Sequence, residues 1–162
     1  MDSQILLRLS KPTLRLAEPR DLEAVAQLEV KLRDETHWKD VDFVPDPEAI
    51  ALWLLAVLST SPQQVLYVAE REERIIGFCL GLLTVHPSVP SVPIICEQGW
   101  YVVPEHRHGT VGWDLWELVV VWGIEHGAKA ASYSKPFYTK PNGHGYHAIE
   151  CVYWRDMEES HG

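Results

Sequence analysis

Along the chain the spacing of apolar positions changes several times, and each change marks an element. Leu14 and Leu16 alternate with Arg15 between Thr13 and Ala17, the period of a short strand. Pro19 suits the first turn of a helix, and Leu22, Val25, Leu28 and Leu32 then recur at helical spacing to about Arg33. From Asp34 to Val44 that period is lost and charge mixes with aromatics, so the segment reads as a loop. Asp46 before Pro47 starts a second helix, because the carboxylate can accept first-turn amides and proline has no amide to leave unpaired. Ile50, Trp53, Leu54, Val57 and Leu58 fill its apolar stripe, and it ends near Ser59. Val65 to Glu70 and Ile75 to Leu83 flank the charged turn Arg71 to Arg74 and predict a hairpin. Prolines within His86 to Pro93 withhold ladder donors, so that tract is predicted to project as a loop without regular pairing.

The stretch from Cys96 to Gly127 organises the rest. A strand from Pro93 to Val103 carries the β-formers Trp100, Tyr101, Val102 and Val103, and Pro104 removes the amide that would continue it. After a polar, basic loop the period becomes helical at Val111, with Val111, Leu115, Leu118 and Trp122 on one stripe and Trp113, Trp116 and Val120 on a second. Such a helix is mostly buried, and Gly127 can take the left-handed conformation that closes it. Lys129 to Ser134 and Gly145 to Trp154 read as two more strands, and the Pro141-Asn142-Gly143 segment between them permits little helix. The predicted order is β-α-α-β-β-β-α-β-(short element)-β in one domain over residues 1–162.

Composition narrows the class. With 162 residues and 46% hydrophobic content the chain can bury one real core. No run of about 18 uncharged apolar residues occurs, and the charged N-terminus lacks the apolar stretch of a signal peptide, so a soluble, cytoplasmic protein is expected. The cysteines Cys79, Cys96 and Cys151 lie in apolar segments without C-x-x-C spacing, which argues for buried thiols rather than disulfides or zinc. Lysine and arginine total 14 against 23 acidic residues, a net charge of -9 that opposes binding to nucleic acid or an anionic membrane and favours cationic partners. Several of the seven tryptophans sit at helix positions that packing explains, so they are not read as a ligand cage.

A strand that feeds a glycine-bearing basic loop into a helix aims unpaired amides, aided by the helix dipole, at one point, and so makes a phosphate cradle. Gly109 and Gly112 allow close approach, Thr110 adds a hydroxyl and Arg107 a cation. His106 and His108, two apart, flank Arg107 inside the cradle, and His144 and His147, three apart, span a glycine turn with no carboxylate or cysteine at ligand spacing, so no metal is expected. His106 and His108 could instead touch phosphate, or be simply surface histidines.

The run Val102-Val103-Pro104-Glu105-His106-Arg107-His108-Gly109-Thr110-Val111-Gly112 resembles the acetyl-CoA signature of the GNAT family of N-acetyltransferases, V-x-P-x-x-[QR]-x-x-G-x-[GA]. Thr110 stands where the first signature glycine belongs, with Gly109 one place earlier, a variant similar to phage-encoded and bacterial members. The resemblance extends through the element order to nearly the whole chain. It implies an α/β (α+β) fold with a mixed, mostly antiparallel sheet of about six to seven strands and helices on both faces. It also implies acetyl-CoA as co-substrate, bound by Tyr101 and Val102 on the strand and by Arg107, His108, Gly109, Thr110, Val111 and Gly112 in the loop.

In that family a bulge splays the strand before the loop from its neighbour, an acidic residue on the strand serves as base, and a tyrosine protonates the thiolate. Glu97 is the carboxylate between Pro93 and Pro104, and apolar neighbours there would raise its proton affinity. His86 and Asp114 are lesser bases. Tyr138 matches the tyrosine best, with Tyr133 and Tyr146 open. In the loop after the first helix, Trp38 or Phe43 could wall an acceptor mouth and Glu35 or Asp40 face an amine, or the loop could be a solvated connection. The expected activity is direct transfer of acetyl to a primary amine, on a small molecule or a protein, in a ternary complex. The alternative is a weak or inactive binding, host-modulating protein that retains CoA. A modifier of nucleic-acid bases is disfavoured by the charge, and a homodimer is compatible with the sequence.

Overall fold

The computed structural model describes residues 11–36, 44–86, 89–136 and 150–157. Strand β1 (Thr13–Leu16) leads through a 3-10 turn (Pro19–Asp21) into α1 (Leu22–Asp34), followed by α2 (Pro47–Thr60), β2 (Gln64–Arg71), β3 (Arg74–His86), β4 (Val89–Val102), a 3-10 turn (Pro104–His106), α3 (Val111–Glu125), β5 (Ala130–Pro136) and β6 (Glu150–Asp156). The strands form one sheet in the order β1-β2-β3-β4-β5-β6, antiparallel throughout except for the parallel pair β4 and β5. This is the mixed, mostly antiparallel sheet expected from the sequence. Residues 145–149 of the expected last strand, and the short element before it, lie outside the described residues.

Alternation along the strands divides the core in two. Val65, Cys79, Ile95 and Val102 face α3, whereas Leu66, Val68, Phe78, Leu80 and Tyr101 face α1 and α2. Asp46 caps α2 as its sequence implied, accepting from the amides of Glu48 at 3.0 Å and Ala49 at 3.3 Å. Arg15 joins β1 to the 3-10 turn and β2 through Asp21 at 2.6 Å and Glu70 at 2.6 Å, fixing where α1 begins.

Two readings need correction. The buried face of α3 is Leu115, Trp116, Val119, Val120 and Gly123, so Trp113 turns outward and Val119, absent from both predicted stripes, is fully buried. Gly123 sets that rotation, because a Cβ there would stand 2.7 Å from Ile95 Cβ and the helix rests directly on β4. The tract before Pro93 is not wholly a projecting loop, since β4 begins at Val89 and pairs His86 with Val89 and Val85 with Pro93 across a register shift. Its prolines are tolerated because β5 pairs β4 only at Ile94, Ile95 and Cys96, leaving the edge before them without a strand partner among the described residues. Cys79 is buried as expected, with its thiol pushed well up by burial and then by Glu97, but Cys96 is only half-buried, with the Ser132 hydroxyl donating to its sulfur at 3.2 Å.

Candidate active site

The feature that shapes the site is the short contact between β4 and β5. Their parallel pairing stops at Cys96 and Ser132, after which no ladder joins them among the described residues. At the same level Leu80 pairs with Gly99 but Gly81 pairs with Glu97, so Gln98 is an extra residue and β4 bulges. Beyond the bulge the Val103 amide donates to the Ile76 carbonyl on β3 at 2.9 Å. Strand alternation then gives Tyr101 to its β3 partner Phe78 and turns Trp100 and Val102 toward the open side. The Val102 carbonyl does point away from β3, accepting from Arg107 Nε at 2.6 Å.

The loop completes the opening. Amides from His108 to Trp113 donate to no group among the described residues, and a Cβ on Gly109 would meet nothing within 4 Å. Unpaired first-turn donors at the start of a 15-residue helix are what an anionic group needs. A cleft of about 230 Å³ beside them is lined by Trp100, Tyr101, Val102, Arg107, Gly109, Gly112 and Trp113. Five of the eight sequence-predicted cofactor residues therefore line one cleft. His108 is exposed, Val111 half-buried, and Thr110 turns its hydroxyl to Asp114 Oδ2 at 2.6 Å.

Arg107 is already engaged. Besides the Val102 carbonyl it holds Glu35 at 2.7 Å, and its guanidinium lies 4.9 Å over the Tyr101 ring. Tyr101 donates its hydroxyl to the other Glu35 oxygen at 2.7 Å. Burial works against ionising Glu35, but the hydrogen bonds from Tyr101 and Arg107 outweigh it and hold its carboxyl below the ordinary range. Burial, with that same bond, pushes the Tyr101 phenol up to about 12. Glu35 thus ties the end of α1 to β4 and the loop, and is committed to these partners rather than to an incoming amine.

Glu97 stands at the mouth of the splay, half-buried, where Oε2 accepts from the Ser134 amide at 3.2 Å and its hydroxyl at 3.1 Å. A second carboxylate, missed in the sequence, lies beside it. A Cβ on Gly99 would come within 2.5 Å of Glu29 Oε1, so this α1 side chain is laid directly over the β4 backbone one residue past the bulge. Glu29 accepts no hydrogen bond from any described residue, and burial, then the charge of Glu97, pushes its pKa up to about 7. One signal was available: Glu29 follows Val25 by four and precedes Leu32 by three, so it occupies the apolar stripe of its helix.

Aromatic rings close the α3 side of the splay. Trp100 meets Trp113 edge-on at 5.2 Å and Tyr133 edge-on at 5.7 Å and stacks on Trp116 at 6.2 Å, and Tyr133 stacks on Tyr153 at 5.0 Å. Helix packing alone does not account for them, because Trp100 and Tyr133 come from the two diverging strands. His86 ends β3 at the opposite end from the loop, and Asp114 serves Thr110. Trp38, Asp40, Phe43, Tyr138, His144, Tyr146 and His147 lie outside the described residues. Among the described residues no group of histidine, cysteine and acidic side chains could hold a metal, and no helix is long and apolar enough to cross a membrane.

Residues 24–147 match the model of the acetyltransferase (GNAT) family. Among solved structures, a ribosomal-protein-alanine N-acetyltransferase from Brucella melitensis superposes with a TM-score of 0.67 at 14% identity, covering 90% of this chain and 99% of that one. An acetyltransferase from Vibrio fischeri gives 0.58 at 26% identity over 75% and 94% of the two chains. An aminoglycoside N-acetyltransferase in complex with CoA gives 0.62 at 18% identity over 75% of each. No curated protein sequence matches the chain.

Proposed function

Because the chain belongs to the acetyltransferase (GNAT) family, we propose that it transfers an acetyl group from acetyl-CoA directly to a primary amine, both bound at once in the splay between β4 and β5. The observation that carries this reading is the run of undonated amides from His108 to Trp113 opening on the cleft. They suit the diphosphate of the co-substrate, with Gly109 and Gly112 giving it room and the open edge at Trp100 and Val102 offering donors to the pantetheine arm and the thioester oxygen. Transfer needs a neutral amine, because only an unprotonated nitrogen has the lone pair that attacks the thioester carbon. Glu97 is proposed to draw the ammonium in, a carboxylate at the splay to take its proton, and Tyr138 to protonate the departing sulfur.

The acceptor is proposed to be a cationic amine, on a small molecule or a protein chain, in keeping with a net charge of -9 and with the structural relatives that act on aminoglycosides or on a ribosomal protein. One feature favours the second reading, a CoA-binding protein with little turnover: Arg107 is spent on Glu35 and Val102, and Thr110 on Asp114. Thermal melting with and without acetyl-CoA tests the co-substrate, and thiol release across a panel of primary amines tests transfer. Stabilisation with thiol release supports the transferase, stabilisation without release under every amine supports the binder, and no stabilisation rejects both.

A further inference from the structure

We infer that Glu29, reaching across from α1 onto the β4 bulge, is the residue that takes the acceptor's proton, while Glu97 acts through it as a positioning residue. This rests on the proposed transfer reaction and names the atom its first proton moves to.

The placement follows from the backbone. Gly99 bears no side chain, and the space above it is filled by a carboxylate rather than by a core residue. The next residue, Trp100, presents its amide to the open side of β4, so a carbonyl oxygen accepting that amide lies one residue from Glu29 Oε1. The two carboxylates differ in their partners. Glu97 is held by two donors from Ser134, which fixes its direction across the splay. Glu29 is held by none among the described residues, and its carboxylate lies over the Gly99 backbone beside Phe78. Of the titratable or charged groups on the packed elements, Glu97 on β4 acts on Glu29. The Cys79 thiol on β3 is held neutral, and Tyr101 and Arg107 are committed to Glu35.

A carboxyl poised near neutrality, with a negative neighbour and no fixed partner, suits an incoming ammonium. The ammonium gives one proton to Glu29. The freed lone pair forms the new bond to the thioester carbon, the carbon–sulfur bond breaks with its electron pair leaving on sulfur, and the second nitrogen proton passes to that thiolate. The products are an amide and a free thiol, and the proton on Glu29 returns to solvent.

The test uses the full chain labelled with 13C at its glutamate carboxyls and titrated from about pH 4 to about pH 9. One carboxyl signal should have its midpoint near 7. It should vanish in Glu29→Gln, move to lower pH in Glu97→Gln, and move to lower pH when methylammonium chloride replaces sodium chloride. With acetyl-CoA and the amine that releases thiol fastest, Glu29→Gln should keep acetyl-CoA affinity. It should lose about 100-fold in kcat together with the rise of rate through neutral pH, and Glu29→Asp should restore part of both. A midpoint in the ordinary carboxylate range, insensitivity to methylammonium, or a Glu29→Gln profile that follows wild type would overturn the assignment. Failure to bind acetyl-CoA or to release thiol sinks the transferase reading instead, and the carboxyl titration still decides whether Glu29 faces an ammonium.

Discussion

Glu29 and Glu35 stand six residues apart, one within α1 and one at its end, and both reach β4, yet they are in opposite electrostatic states. Glu35 is bonded by the Tyr101 hydroxyl and the Arg107 guanidinium, which outweigh its partial desolvation and keep it ionised. Glu29 sits deeper, with no donor among the described residues and with Glu97 as its charged neighbour, so its proton is held to about pH 7. Depth and partners both differ, since Glu35 is exposed while Glu29 is set deeper between α1 and β4. The difference teaches that depth and partners act together on the charge of a carboxylate, and that this fold spends its local donors on the shallower acid, the one that fastens the loop.

The comparison breaks most severely at Gly99. Gly99→Ala would place a methyl 2.5 Å from Glu29 Oε1 and 3.3 Å from Phe78, displacing the Glu29 carboxylate while leaving the Glu35 clamp intact. Thiol release is expected to fall at least about 100-fold, with Tyr101 still titrating at high pH in an absorbance titration. A fully active Gly99→Ala enzyme would break the link between the bulge and the acid.

Stability against pH separates the two acids by sign. The folded-state pKa of Glu29 is raised, so its contribution is full below about 4.5, the unfolded value, and is lost as pH rises through 7, costing roughly 3 kcal/mol by pH 8. The folded-state pKa of Glu35 is lowered, so its contribution is present above the unfolded value and is lost as pH falls below it. Melting curves of Glu29→Gln should therefore lie above wild type at pH 8, and the gap should close or reverse toward pH 5. For Glu35→Gln the loss relative to wild type should be larger at pH 8 than at low pH.

Smaller effects sharpen the Glu35 side. Tyr101→Phe removes one of its bonds and should cost about 1 kcal/mol in urea unfolding at neutral pH. Arg107→Ala should cost less than about 1 kcal/mol, because that ion pair is two-fifths exposed, but it should raise the Glu35 midpoint in the same 13C titration. If acetyl-CoA stabilises the Arg107→Ala chain as well as wild type, the cradle relies on amides rather than on this cation.

Much of the fold was legible because local period and turn chemistry agree with it. Asp46-Pro47 opens α2, Glu72 and Glu73 take positive φ in the charged hairpin turn, and Gly127 closes α3 at φ 92. The tract up to Pro93 was misread because a proline argues against pairing only where an amide is needed, and only the sheet shows which edge lacks a neighbour. In the site, the positions proposed from the sequence, Glu97, Val102 and the Arg107 to Gly112 loop, lie in one contiguous segment. That Arg107 would turn to Glu35 depends on the end of α1, far away in sequence. The rings of Trp100 and Tyr133 meet because β4 and β5 diverge, which no spacing within either strand records.

By itself, the amino-acid order determined the elements, their sequence along the chain and the strand-loop-helix junction with its spare amides, since these depend on residues within a turn or two of one another. Only the tertiary structure decided which acids share a space and which find donors: Glu29 and Gly99 are 70 positions apart, and the proton affinity of a carboxylate depends on what surrounds it in space, not on what flanks it in the chain.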